Sequence, residues 1–263
     1  MSEKKIACPS CGRNKCFLNT AKKVAQCFRP SCGWKAGPAK LISLGLISPL
    51  GLQDLATQLN TERPVGPPTL PENTESIVYK DNGLFMTKYP TACLEVQKRG
   101  VSIEDQYRFQ LHIDSQRIYI PVYAGGEMVN YVGRAHWWYH NNYQRYKYPK
   151  NISTTNYLFN WDECKNFEYL TIVENTFNAI RYRKLINSTS SFGSRLSKTQ
   201  VRLIAQSRVN FCIILFDSGA ERKSELAVSE LRDSGVSAVR LKIAGQPDDY
   251  SDEYIVQLVE SVK

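Results

Sequence analysis

Acids stand where three short apolar runs stop. YLTIV runs into Glu174, CIILF into Asp217, and VSAVRLKIA into GQPDD, which supplies Asp248 and Asp249. The runs are rich in β-branched residues, and helix-like patterns separate them, as in parallel strands buried on both faces. In open α/β sheets chemistry gathers where the carboxyl ends of such strands meet. Acids at three of those ends would converge on one crevice.

A second set of chemistry-bearing residues opens the chain. Cys8 and Cys11 form a CxxC pair and Cys27 and Cys32 a C-x4-C pair. Between them KCFLNT and KVAQCF are patterned as a hairpin that would lay one pair on the other. Four thiolates at this spacing suit tetrahedral zinc, so a structural zinc ribbon is expected. A unit this small buries little apolar surface, and metal binding would supply folding energy. Cys16 is left over and reads as a buried side chain; Cys93, Cys164 and Cys212 are isolated and read as core. Lys15, Lys22, Lys23, Arg29 and Lys35 lie beside Phe17, Phe28 and Trp34. That mixture suits phosphate contact and base stacking, while a tiny core would claim one or two of the aromatics.

Charge separates the two ends of the chain, which carries a formal +9 over 263 residues. Residues 1–40 hold nine Lys or Arg against Glu3 alone, giving +8, whereas from Asp217 onward ten acids face six bases, giving −4. A basic front and an acidic back fit a polyanion held at one end and metal or nucleotide chemistry at the other. No stretch reaches the roughly 18 apolar residues of a membrane span, and MSEKK is no signal peptide. A cytoplasmic protein with no membrane partner is expected, in which eight cysteines would not be disulfides. His112, His136 and His140 lack metal-ligand spacing and read as surface or hydrogen-bonded histidines.

These residues need elements to position them. Residues 1–38 read as the ribbon. Residues 39–75 read as a short helical segment, LQDLATQL its clearest part, and a Pro-rich linker across which the ribbon would move. Residues 76–161 read as a basic α+β lobe. It starts with a helix ending KRG and closing at Gly100, followed by a second helix capped by Ser102. RIYIPVYAGGEMVNYVGRA then gives two alternating strands joined at Gly-Gly. In HWWYHNNYQRYKYPK, Arg145, Lys147 and Lys150 are interleaved with Trp and Tyr, and no acid lies between Glu127 and Asp162. Single-stranded nucleic acid asks for such a surface, although half of these aromatics would serve a core equally well. From 162 to 263 four strand patterns alternate with helix patterns, and right-handed crossovers make the sheet parallel. GSRLSKT at 193–199 imitates a phosphate-binding loop without its second glycine, so no ATPase motor is expected.

The order of these parts resembles the bacterial-type (DnaG-like) DNA primases, most closely the zinc-binding plus TOPRIM portion of phage primases and primase-helicases. The ribbon with its linker, the helix ending KRG, the RIYIPVYAGGEMVNYVGR hairpin followed by KYP and LFNWDE, and the final α/β block carry the resemblance over nearly the whole chain. It implies an α/β protein: a zinc ribbon, a linker, then an RNA polymerase domain made of a basic α+β lobe and a parallel TOPRIM lobe. It also implies synthesis of short RNA primers from ribonucleoside triphosphates on a single-stranded DNA template. A separate replicative helicase becomes a candidate partner, and the bacterial host cytoplasm the compartment if the chain is phage-encoded. By the resemblance Arg117, Arg134, Lys147 and Tyr148 bind template or nucleotide. Glu174 is a metal ligand or base, Asp217 and Asp248 are metal ligands, and Asp249 belongs to the same catalytic cluster. Magnesium or manganese held there would assist attack of a 3′ hydroxyl on an α-phosphate.

The family pattern places an Asp four residues after the first Glu, an Asp-x-Asp in the second motif and an Asp-Pro-Asp in the third. This chain has Asn178, Gly219 and Gln246 at those places. Glu221 or Glu225 would substitute if the turn is displaced. The alternative to an active enzyme is therefore a primase-like single-stranded-DNA-binding replication protein with a decayed site. Another TOPRIM enzyme, a nuclease or topoisomerase-like cleaver, would need a larger body. A zinc-bearing structural or transcription protein leaves the strand-end acids unexplained.

Overall fold

The computed structural model describes residues 3–20, 23–47, 67–77, 87–136 and 144–263. The chain divides into two compact units, Met1–Arg63 and Pro64–Lys263. LQDLATQL, the start of the Pro-rich linker, His140 and the aromatic residues Trp137, Trp138, Tyr139 and Tyr143 lie outside the described residues.

In the first unit, strands β1 (Glu3–Ile6), β2 (Cys16–Asn19), β3 (Val24–Cys27) and β4 (Lys35–Ala36) form one antiparallel sheet in that order, followed by helix α1 (Pro38–Ser43). The hairpin of β2 and β3 sets Cys16 opposite Cys27. Cys16, Leu18, Ala25 and Leu41 are buried together, and Cys16 sits inside this core as its sequence position implied.

The second unit opens with β5 (Glu75–Ser76), α2 (Pro90–Lys98) and α3 (Ile103–Arg108). Pro90 starts α2, where its missing N–H costs nothing, and the Ser102 hydroxyl caps α3 by accepting from the Asp105 amide at 3.1 Å. Strands β6 (His112–Ile113), β7 (Arg117–Ala124), β8 (Glu127–Ala135) and β9 (Tyr146–Lys147) join β5 in an antiparallel sheet. The alternation in β7 is real: Ile118, Ile120 and Val122 enter the main core, while Tyr119 packs edge-on against Tyr131 at 5.6 Å. Gly133 lies under Tyr119. A Cβ there would come within 2.9 Å of Tyr119 Cε1 and 3.3 Å of the Lys147 carbonyl, so only glycine lets β7, β8 and β9 lie together.

After helix α4 (Trp161–Cys164) the chain alternates as β10 (Tyr169–Val173), α5 (Thr176–Ile186), β11 (Ser188–Ser190), α6 (Lys198–Ala205), β12 (Phe211–Leu215), α7 (Glu221–Asp233), β13 (Ser237–Arg240) and α8 (Asp252–Glu260). The four strands are parallel, in the order β11-β10-β12-β13. The two-residue period explains why each run is apolar throughout. Leu170, Ile172 and Ile214 face α6 and α7 through Val201, Ile204 and Leu231. Val173, Ile213 and Leu215 face α5 and α8 through Phe177, Ile180 and Ile255.

The chain leaves β10 for β11 on one side and then crosses to β12 on the other, so the strand order reverses between β10 and β12. Such a switch point opens a crevice at the carboxyl ends of the two strands. Ion pairs tie the preceding lobe to this sheet: Arg183 of α5 meets Asp105 of α3 at 2.6 Å, both side chains largely shielded from water, and Arg99 meets Asp248.

Candidate functional site

Two places among the described residues gather chemistry-bearing side chains. The first is the cysteine cluster. Cys8 and Cys11 lie in the turn after β1, where the Cys8 amide donates to the Arg13 carbonyl at 3.0 Å. Cys27 ends β3, and the Cys32 amide donates to the Arg29 carbonyl at 3.0 Å. The four sulfurs lie within 4.8 Å of one another, with Cys8 to Cys32 at 3.8 Å and Cys11 to Cys27 at 3.9 Å. A tetrahedron of Zn–S bonds near 2.3 Å has edges of about 3.8 Å, so the donor set fits zinc in size and chemistry. Four thiols this close cannot all ionise without a cation. The Arg13 amide and neighbouring thiols draw Cys11 down to about 6. Cys27 rises to about 12 because burial and the other sulfurs outweigh the Arg29 amide.

Of the aromatics beside this cluster, Trp34 packs against the small core. Phe17 and Phe28 remain exposed and meet edge-to-face at 5.7 Å.

The second place is the switch-point crevice. Glu174 follows directly on β10, and Asp217 stands two residues beyond β12. The Asp217 amide donates to Glu174 Oε1 at 3.1 Å, which locks the two strand ends together. Both carboxyls line a cavity of about 220 Å³ with Arg99, Arg134, Arg145 and Tyr148. Burial first, and then the charge of Asp217, holds Glu174 up at about 7. Burial and the charge of Asp248 raise Asp217, against the pull of Arg99 and Arg145. Asp217 Oδ1 and Asn178 Oδ1 are buried without hydrogen-bond partners. Acceptor oxygens left in that condition fit a cation.

The third run behaves differently from its sequence pattern. Strand β13 stops at Arg240, and residues 247–249 form a single 3-10 turn. Asp248 does not line the cavity. Its carboxylate is taken by Arg99 and by the Asn178 side-chain amide at 3.4 Å. Asp249 is spent on its own turn, accepting from the Gln246 amide at 2.7 Å. Three strand ends therefore bring two acids, not four, to the crevice wall.

The basic residues also divide. Arg134 is buried on β8, pairs with Glu95 at 3.0 Å and donates to the Tyr146 hydroxyl. Tyr148 reaches the cavity wall. Arg117 does not: it is buried on β7, and its guanidinium donates to the carbonyls of Gly133 at 3.2 Å and Gln144 at 2.6 Å. It braces the backbone leading into β9. Lys147 is exposed and lies outside the cavity wall. His136 is hydrogen-bonded between Thr91 and the Asp114 carbonyl.

The lining also includes Arg99, Arg145, Tyr146 and Phe192, none of which was assigned to the site from sequence. Arg145 had a signal, the basic and aromatic stretch around it. Arg99 had only its place in KRG, and Phe192 sits in a loop without periodicity. Glu221 accepts from the Gly219 amide at 2.9 Å and Glu225 pairs with Arg240 at 3.0 Å, so neither carboxylate joins the Glu174 and Asp217 pair.

Solved structures share this fold. The zinc-binding and RNA polymerase domains of the Aquifex aeolicus primase superpose with a TM-score of 0.58 at 17% identity, covering 99% of this chain and 79% of that one. The chain has the fold of the bacterial DnaG primases. The E. coli primase catalytic core matches with a TM-score of 0.52 at 16% identity over 65% of this chain and 73% of that one. A DnaG primase catalytic domain bound to ssDNA matches with the same score, identity and coverage. No family model and no curated protein matches the sequence itself. At these identities the likeness to the primases is one of fold: mixed α/β with a parallel sheet and an N-terminal four-cysteine cluster.

Proposed function

We propose that the chain is a DNA primase, which joins ribonucleoside triphosphates into short RNA primers on a single-stranded DNA template by metal-dependent nucleotidyl transfer. One observation supports the reading above the rest: two carboxyl groups converge beside arginines at the switch point of a primase fold. Glu174 and Asp217 would hold magnesium or manganese, hard ions that bind through one or two carboxylates plus substrate phosphates. Such an ion lowers the pKa of an attacking hydroxyl and neutralises the leaving pyrophosphate. Glu174, with a pKa of about 7, is poised to accept a proton near neutral pH. The Arg145 guanidinium is exposed and has no hydrogen-bond partner among the described residues, which leaves it open to phosphate oxygens.

Arg134, neutralised by Glu95, fixes Tyr146 in the wall. Lys147 adds exposed positive charge on β9 for the DNA backbone. Zinc in the cysteine cluster would shape the first unit, whose exposed Phe17 and Phe28 suit template bases. The division into ribbon (1–38), linker (39–75), basic lobe (76–161) and TOPRIM lobe (162–263) belongs to the same proposal, as do a cytoplasmic setting and a separate helicase.

The test is synthesis. The full chain, single-stranded DNA, labelled ribonucleotides and magnesium or manganese should yield short oligomers. Glu174→Gln and Asp217→Asn should each abolish them while DNA affinity is retained. Asn178, Gly219 and Gln246 favour a second reading, a DNA-binding protein of this fold with a decayed site. DNA binding without any oligomer would select it.

A further inference from the structure

Phe192 holds a backbone conformation that aromatic residues rarely adopt. Its φ of 61° lies in the left-handed region, where Cβ crowds the following carbonyl oxygen. Such outliers persist only where the surroundings over-determine them. The Phe192 amide donates to Ser190 Oγ at 3.0 Å, and that hydroxyl donates to the Glu174 carbonyl at 3.0 Å. Ser191 Oγ donates to the Gly193 carbonyl at 2.6 Å, and Lys223 Nζ ties Ser194 Oγ to α7 at 2.7 Å. The loop is thereby fastened to the strand end that bears Glu174. Core packing does not explain the choice of residue. The ring is half-buried and only partly packed on the core, and asparagine or glycine would hold the same turn with less strain. Phe192 also lies in the cavity wall, which it shares with Tyr148, Glu174, Asp217 and Arg145.

We infer that Phe192 is a stacking platform for the base of a nucleoside triphosphate taken into this cavity, with Tyr148 as the second aromatic wall. The inference rests on the nucleotidyl-transfer reading of the site. Every base has a π-face, so an aromatic platform binds bases without choosing among them, which suits an enzyme that must accept all four ribonucleotides. Arg145 in the same wall offers charge to the triphosphate, so base and phosphates are held by different residues and can be separated by experiment.

The full chain is titrated calorimetrically with ATP and, separately, with inorganic tripolyphosphate, both with magnesium. Phe192→Asn tolerates the left-handed turn and removes the ring, while Phe192→Tyr keeps it. Phe192→Asn should weaken ATP on the order of tenfold, the size expected for loss of one base stack. Its tripolyphosphate binding should not change, and its melting temperature should not fall below wild type. Phe192→Tyr should bind ATP like wild type. Equal loss of both ligands, or no loss of ATP, overturns the platform. Wild type that binds neither ligand overturns the platform and the nucleotidyl-transfer reading together. The expected ATP pattern without any oligomer synthesis overturns that reading alone.

Discussion

Replacing Glu174 by glutamine should make the folded protein more stable at neutral and alkaline pH, because Glu174 is a carboxyl that the fold holds against its preference. A solvated glutamate ionises near 4.3, whereas burial and the neighbouring charge of Asp217 move Glu174 to about 7. The full difference would correspond to at most roughly 3–4 kcal/mol. The carboxyl is only about half withdrawn from water, and solvent screening reduces this to about 1–2 kcal/mol. The sign follows from proton counting. Between about pH 4 and pH 7 the folded state holds the proton that the unfolded chain has released. Wild-type stability therefore falls with rising pH through that window and levels off above it. Glutamine carries no such penalty.

Melting curves of wild type and Glu174→Gln should coincide near pH 4 and separate by about 2–6 °C at pH 8 for a unit of this size. Magnesium at pH 8 should raise the wild-type melting temperature and close part of that gap, because a cation at Glu174 and Asp217 relieves the same repulsion; the variant should respond less. A variant no more stable than wild type at pH 8, or a difference that does not change between pH 4 and pH 8, would refute the placement of Glu174 as a strained acid.

Two further outcomes test other parts of the molecule. Cys27→Ser removes one sulfur of the four, and the zinc content of the purified chain should drop with it; zinc equal to wild type would exclude Cys27 as a ligand. Asp105→Ala strips the shielded Arg183 side chain of its closest partner and should cost about 3–5 kcal/mol in urea unfolding. A loss under about 1 kcal/mol would mean that the pair contributes no more than a surface ion pair.

Much of the parallel sheet was legible because β10 and β12 are buried on both faces and so appear as unbroken apolar runs, with acids where the strands end. The hairpin was legible from its period of two. Strand β1 was not, since EKKI has three exposed residues out of four and owes its place to pairing with β2. The third acid run is held otherwise than its pattern suggests, for a local reason. The turn at residues 247–249 captures Asp249, and Asp248 meets Arg99 from 149 residues away. No window of sequence contains that contact. Arg117, a binding residue by the resemblance, has its guanidinium among backbone carbonyls, and its place at a strand start does not announce those contacts.

At the three places where the resemblance implies acids and this chain has none, the residue present sits in an internal contact, and at 178 the side chain itself makes it. At 178, a carboxylate 3.4 Å from that of Asp248 would repel it by about 5 kcal/mol at an effective dielectric of 20, and would need a cation between them. Asparagine turns that repulsion into a hydrogen bond, and Asp248 can then give its other oxygen to Arg99. At 219, the glycine has a φ of 88°, which disfavours any residue with a Cβ, and the Glu221 carboxylate sits on its amide. At 246, the contact to Asp249 is made by the backbone amide, whatever the side chain. These exchanges lower the negative charge that bound cations must balance while leaving Glu174 and Asp217 on the cavity wall, one of them with a buried oxygen that no group among the described residues satisfies. A cleft with that remainder does not need several cations merely to hold its own side chains together. The proposed chemistry then depends on what two carboxylates and the phosphates of a bound nucleotide can jointly coordinate.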